Sequence, residues 1–184
     1  MNEKKETLAQ QQKRLRPKFE DMAKECLSGE RLHGALSFAA FLKENGMAIQ
    51  YNALNSWRVA YKGKRGICGL RLSVVEYGEI LEAGKDSWSI EIGADDEAFE
   101  NLVAEDEKLK ELIWRNVKYC HDCHPHCDIN KIRSIKKKIL GKEFVGVCKS
   151  MTWFSMKNPG NDDIEFAKVI AETRKERLKH PCTC

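Results

Sequence analysis

The sequence has no apolar run that approaches the roughly 20 residues needed to cross a bilayer. Its first six residues are too charged to begin a secretory signal. We therefore expect a cytoplasmic protein that does not associate with membranes. Disulfides are rare in that compartment, so the eight cysteines of the chain point to a bound metal or to reduced thiols.

Motifs of common enzyme classes are also missing. There is no glycine-rich phosphate loop, no nucleophile elbow and no conventional catalytic triad. The zinc-deaminase pattern, a His-x-Glu step beside a Pro-Cys-x-x-Cys segment, is absent as well. The sequence leans away from an enzyme, and we assign no catalytic residue.

The most informative stretch is Cys120-His121-Asp122-Cys123-His124-Pro125-His126-Cys127, which holds three thiols and three imidazoles. A fourth thiol, Cys148, follows after twenty intervening residues. Thiolate sulfur and imidazole nitrogen are the ligands that Zn²⁺ prefers in closed tetrahedral sites. We predict one structural zinc ion bound by Cys120, Cys123, Cys127 and Cys148, with His121, His124 or His126 as alternative ligands.

Other interpretations of the cysteines stay open at this point. They could be reduced thiols, a disulfide pair, a redox Cys-x-x-Cys motif or the ligands of an iron–sulfur cluster. A redox motif normally opens a helix after a strand, whereas residues 119–127 follow a predicted helix and contain Pro125. The spacing matches none of the ferredoxin patterns. Zinc is the favoured interpretation.

Charge is distributed unevenly along a chain whose net charge is only +4. Residues 91–107 carry eight acids and no base, and a basic stretch over residues 131–142 follows the cysteine cluster. Such a stretch can attract phosphates, and Trp153 and Phe154 could stack on bases. Nucleic-acid binding through the metal segment and residues 131–142 is therefore the alternative function, although charge runs are usually solvated surfaces.

The periodicity of apolar residues predicts an α+β fold. Helical spacing covers about residues 17–27, 30–44, 96–117 and 162–178. Alternation predicts strands over about residues 47–51, 57–61, 67–72 and 88–92. We expect an antiparallel sheet with helices packed on one face, and a small metal-binding knob in the C-terminal third.

This reading divides the chain into four parts. Residues 1–16 form a polar N-terminal arm, residues 17–118 the α+β core, residues 119–150 the Cys/His metal-binding segment, and residues 151–184 a strand and helix that pack on the core. Within the core, Trp57, Tyr61 and Trp88 could line an apolar groove for a small amphipathic molecule, with Arg58, Glu76, Tyr77 and Glu91 as nearby polar groups. The simpler alternative is that these rings are core.

Five features follow one another in this chain: a helix that ends at Asn45-Gly46, the run 56–64, a Trp-x-Asn step at Trp114, the cysteine cluster and the run 140–148. This order, over roughly residues 30–178, resembles a group of small uncharacterised proteins of Firmicutes-type bacteria, which supplies no catalytic residues. The strand portion is similar, more weakly, to effector-binding domains of the gyrase-inhibitor kind. That similarity implies a ligand bound between a curved sheet and helices. Together with the cysteine cluster and the aromatic residues of the sheet, we expect a zinc-binding protein that binds or senses a small molecule.

Overall fold

The computed structural model of the chain describes residues 6–72, 86–94, 107–119, 134–148 and 151–179. The helices within these ranges are α1 (Leu8–Leu15), α2 (Phe19–Cys26), α3 (Gly29–Glu44), α4 (Glu107–Asn116) and α5 (Asn161–Lys179). The strands are β1 (Met47–Ala53), β2 (Ser56–Tyr61), β3 (Lys64–Leu72), β4 (Trp88–Ala94), β5 (Ser134–Ile139), β6 (Lys142–Cys148) and β7 (Thr152–Lys157). No helix among the described residues combines the length and the apolar character that a membrane crossing requires.

The main sheet is antiparallel and has five strands in the order β1-β2-β3-β4-β7. The predicted α+β fold with an antiparallel sheet is thus confirmed. The predicted strands at the N-terminal side pair with their neighbours in sequence. The strand expected after residue 151 is β7, which joins the main sheet beside β4, with Phe154 opposite Ile92.

One face of this sheet is the hydrophobic core. Trp57 lies opposite Leu70, and Leu70 lies opposite Ile90, so their side chains share that face. The ring of Phe19 on α2 packs edge-on against Trp57 at 5.4 Å between centroids. On α3, a Cβ added at Gly34 would lie 3.7 Å from the Trp88 ring. Both tryptophans therefore point towards the helices and are fully buried, as their alternation predicts.

The helix ends follow local chemistry. Helix α3 ends at Glu44 and is capped by Asn45. The next residue, Gly46, has φ +71°, the left-handed conformation that glycine favours after a helix. At the start of α5, the Asp163 carboxylate accepts the backbone N–H of Gly160 at 3.1 Å, a contact of the kind that the third helical residue makes in a capping box. Helix α2 begins at Phe19, two residues after Pro17, where the predicted helix started.

The polar N-terminal arm contains a helix that is attached to the sheet. Thr7 and Gln10 form a capping box at the start of α1. Gln12 is buried, and its amide makes two hydrogen bonds to Asn55 in the β1–β2 turn, as donor at 2.7 Å and as acceptor of the Asn55 backbone N–H at 2.9 Å. The carbonyl of Pro17 accepts the indole N–H of Trp57 at 2.9 Å. These contacts tie the arm to the body of the protein.

Candidate metal centre and predicted ligand site

The predicted metal ligands fall largely outside the described residues. Cys120, Cys123 and Cys127, together with all three alternative histidines, belong to the range 120–133, which the structure does not describe. Cys148 is described: it is half-buried and is the last residue of β6. Among the described residues, no group of three or more His, Cys, Asp or Glu side chains is arranged to hold a metal ion. The metal-binding knob therefore stays a prediction.

The two ends of the Cys/His range both lie beside β6. Tyr119, the last described residue before it, pairs antiparallel with Val147. Ser134, the first described residue after it, pairs with Cys148 itself. Strand β6 thus has β5 on one side and residue 119 on the other. Residues 119 and 134, which flank the Cys/His range, therefore pair with adjacent residues of β6, Val147 and Cys148.

The β5–β6 hairpin owes its shape to three residues with positive φ. Its two-residue turn is formed by Leu140 (φ +48°) and Gly141 (φ +85°), the combination found in hairpin turns of type I′. The pairing slips between Ile135 and Lys136, and Gly146 at φ +89° is the extra residue of a bulge there. A bulge increases the local twist, so it changes the direction of β6 just before Cys148.

The hairpin is fastened to the rest of the protein at its turn end and at its side. The indole N–H of Trp114 on α4 donates to the Ile139 carbonyl at 2.9 Å. The ammonium of Lys142 lies 5.2 Å from the centre of the Trp114 ring. Through residue 119 the hairpin is linked to the main sheet, because Val117 pairs with Phe154 of β7. Residues 117–119 therefore link the two sheets, in addition to direct contacts between β6 and β7.

The other described cysteines have no part in this arrangement. Cys26 is half-buried on α2, and burial, followed by the charge of Glu25, raises the pKa of its thiol. Cys68 is buried on β3, and burial raises the pKa of its thiol far above the ordinary range, which the Arg174 charge only partly opposes. Such thiols are inert packing groups at neutral pH. Cys182 and Cys184 lie outside the described residues.

The aromatic residues predicted to bind a ligand lie in the core. Trp57 is 1% exposed, Trp88 is 0% exposed and Tyr61 is 8% exposed. Two of the polar groups expected beside them, Arg58 and Glu91, have side chains on the opposite face of the sheet, since they alternate with core residues of β2 and β4. The sheet thus separates these two from the rings, and the other two, Glu76 and Tyr77, lie outside the described residues. A ligand-binding role for the three rings stays a prediction.

A surface groove lies away from these rings, between α4 and α5. Its volume is about 230 Å³. Apolar side chains form much of its lining, and an ion pair of 3.1 Å joins Lys108 to Asp162 across it. The apolar lining residues are Leu109, Leu112, Phe166 and Val169. This groove is distinct from the predicted site between the main sheet and the helices.

The face of the main sheet that is turned away from the core, here called the open face, carries a polar cluster that sequence analysis only partly identified. Glu91 forms ion pairs with Lys118 at 3.1 Å and with Arg71 at 3.8 Å. Arg58 donates from Nε to the amide oxygen of Gln50 at 3.3 Å. Strand alternation could have predicted that Arg58 and Arg71 share a face. It could not have predicted Lys118, whose position depends on the pairing of residue 117 with β7.

The basic stretch has several of its charges engaged within the protein. Lys136 forms an ion pair with Glu143 at 2.8 Å. Lys142 lies over the rings of Trp114 and Phe144 at 5.2 and 5.7 Å. The part of the stretch before residue 134 lies outside the described residues. Nucleic-acid binding through residues 131–142 stays a prediction.

No protein-family model, no curated protein and no solved structure matches this chain. The resemblances to the Firmicutes-type group and to effector-binding domains therefore stay predictions as well. Residue chemistry and the geometry around β6 and the main sheet are the basis on which a function can be proposed.

Proposed function

We propose that this chain is a zinc-binding protein with one closed, structural site. Its ligands would be Cys120, Cys123, Cys127 and Cys148, and one of His121, His124 or His126 could replace a thiolate. The observation that carries the proposal is the anchoring of both ends of the Cys/His range beside β6, at Tyr119 and at Ser134. The strand between these two anchors ends in the fourth predicted ligand.

Chain connectivity supports a site shared with Cys148. Neighbouring Cα atoms are 3.8 Å apart, and paired Cα atoms of antiparallel strands are about 4.5–5.5 Å apart. The residue after Tyr119 is therefore kept within about 13 Å of Cys148, Cα to Cα, before any folding of the intervening range. The fourteen residues from 120 to 133 must also return to Ser134, which pairs with Cys148 directly. Closing this range on a metal thus needs little additional loop entropy.

The composition of the range fits a structural role. Residues 120–127 consist of cysteines, histidines, two other polar or turn residues and no large apolar side chain. Such a segment cannot fold on buried apolar surface, so the binding energy of the metal would serve as its folding energy. Four protein ligands leave no open position for substrate, which distinguishes the site from a catalytic zinc. A reducing, cytoplasmic setting is part of this proposal, because the ligands must be thiolates.

Metal analysis of the purified chain tests the proposal. Plasma-emission analysis of the reduced protein should find about one zinc per chain. Cys148→Ser should lower the zinc content, whereas Cys26→Ser should leave it unchanged, because Cys26 lies on α2 away from β6. Both variants remove one half-buried sulfur, so they are matched. Equal zinc content in the two variants, or protein purified without metal that also fails to bind added Zn²⁺, would refute a site that includes Cys148.

A further inference from the structure

We propose that the face of the main sheet turned away from the core binds a small molecule through its carboxylate or phosphate group, at a site centred on Gly69. Gly69 and the two arginines of the site are distant in sequence from the proposed zinc ligands, although Lys118 at its edge lies two residues before Cys120. Gly69 lies in the middle of β3, the central strand of the sheet. Its neighbours across the sheet are Arg58 of β2 and Glu91 of β4.

Gly69 has neither of the usual reasons for a glycine. Its φ is not in the left-handed region, and the register slip of β3 falls before it, between the partners of Arg58 and Ala60. A Cβ built on Gly69 would meet no described atom closer than the Glu91 Cβ at 3.8 Å, an ordinary contact. A glycine inside a strand weakens it and often marks a place where a ligand approaches the backbone. Because Gly69 has no side chain, the surface of the open face is flat at this position.

The charged side chains around Gly69 are mostly positive. Among the described residues, Arg58, Arg71 and Lys118 supply three positive charges beside the carboxylate of Glu91. Lys118 and Arg71 both pair with Glu91, so that carboxylate is already neutralised. The surplus charge lies on the arginines, which favours an anion over a cation as the bound group.

Arg58 is the side chain best placed to bind an anion. Within the described part of the chain, its only hydrogen bond is from Nε to Gln50, so both terminal amino groups can still donate. A guanidinium presents its donors in a planar fork that matches a carboxylate or phosphate. Arg71 is two residues along β3 from Gly69, and its side chain is 48% exposed. An oxyanion above Gly69 would therefore have one arginine opposite it on β2 and another two residues along β3.

An apolar surface lies next to this charged region and could contact the rest of the ligand. A Cβ built on Gly93, two residues from Glu91 on β4, would lie 3.2 Å from the Trp153 ring and 2.5 Å from the Met151 sulfur. These two side chains thus cover Gly93 on the open face. A bound molecule with an anionic head and an apolar body would match both regions.

Nuclear magnetic resonance titration of the full-length protein, reduced and as purified, tests the proposal. Inorganic phosphate and acetate are the two probes, and chloride at the same ionic strength is the reference. We expect amide shifts at residues 58, 69, 71 and 91 with at least one of the two probes and none with chloride. The stronger probe identifies phosphate or carboxylate as the recognised group. Shifts that are the same with chloride would overturn the site.

Matched variants test the roles of Arg58 and Gly69. Arg58→Gln should weaken binding by roughly tenfold or more, since it removes a charged hydrogen-bonding group. Lys24→Gln on α2 changes the net charge equally and should leave binding unchanged. Gly69→Ala has room in the fold and should weaken binding while amide spectra elsewhere stay the same. Equal losses in Arg58→Gln and Lys24→Gln would show unspecific attraction and refute the site, as would full binding by Gly69→Ala.

Discussion

At the scale of single residues, the same side-chain type has different chemistry in different places. Cys148 ends a strand beside the Cys/His range, Cys26 is half-buried on a helix, and Cys68 is buried in the core. Only the first has a position from which a metal could be shared with the cluster. A count of cysteines could not distinguish these three, because burial depends on which strand and helix faces meet.

The buried thiol of Cys68 should make stability depend on alkaline pH. Burial raises the pKa of Cys68 above its ordinary value of 9.0, with the Arg174 charge opposing. Above about pH 9 the unfolded thiol ionises while the folded one stays protonated, so the free energy of unfolding falls by up to about 1.4 kcal/mol per pH unit. Cys68→Ala lacks this loss. The stability difference between wild type and Cys68→Ala, measured by urea unfolding, should therefore shrink from about pH 8 to about pH 10.

Comparison of the two proteins cancels the titration of all other groups. Cys26→Ala is the control, because burial also raises the pKa of Cys26, but that thiol is only half-buried. Its stability difference from wild type should depend less on pH than that of Cys68→Ala. A difference for Cys68→Ala that stays constant over this pH range would show that the thiol ionises equally well in the folded and unfolded protein.

At the scale of elements, periodic elements were predictable and their distant partners were not. Alternation located β2 and β4 and placed Trp57 and Trp88 on the core face, because one side of each strand is buried. It gave no information on the partner of β7, since strand pairing across the sheet depends on residues more than fifty positions apart. The same holds for the candidate sites. The spacing of cysteines suggested a metal, whereas the polar cluster around Gly69 needed the register of four strands.

The attachment of α1 is an element-scale feature without a sequence signal, and it can be tested. Gln12→Ala removes both hydrogen bonds to Asn55, which should weaken docking by about 1–3 kcal/mol. A helix of eight residues is marginal in water on its own, so amide exchange in α1 should become faster. Hydrogen exchange read by mass spectrometry measures this. Strands β1 and β2 should keep their protection, because Trp57 still holds the Pro17 carbonyl.

Gln11→Ala is the matched control for this test. Gln11 is exposed on the same helix, and the substitution changes helix propensity by the same amount. Its exchange in α1 should equal that of wild type or be slightly slower. If the two variants exchange equally fast, the amide pair of Gln12 and Asn55 does not hold α1.

At the scale of the whole molecule, the five-stranded sheet contributes most of the hydrophobic core and the β5–β6 hairpin only a few of its residues. The main sheet has a core shared with α2, α3 and α5 and built from large buried side chains, among them Phe38, Trp57, Leu70, Trp88, Ile90, Phe154 and Phe166. The hairpin has a few buried residues and its contact with Trp114. Residues 117–119 link the two, and β6 also contacts β7 directly. Loss of a metal near Cys148 should therefore be felt locally.

Chelation under reducing conditions gives the final prediction. A strong chelator should speed amide exchange at residue 119 and at the Cys148 end of β5 and β6, because the proposed zinc is what would join these strands to the range 120–133. The turn end near Ile139 should change less, since Trp114 holds it by a hydrogen bond. Strands β2 and β4 should stay protected, and Cys148→Ser should show the same pattern without chelator. Unfolding of the whole protein would mean that the metal stabilises the main sheet as well, and unchanged exchange throughout would mean that the cysteines are ordinary thiols.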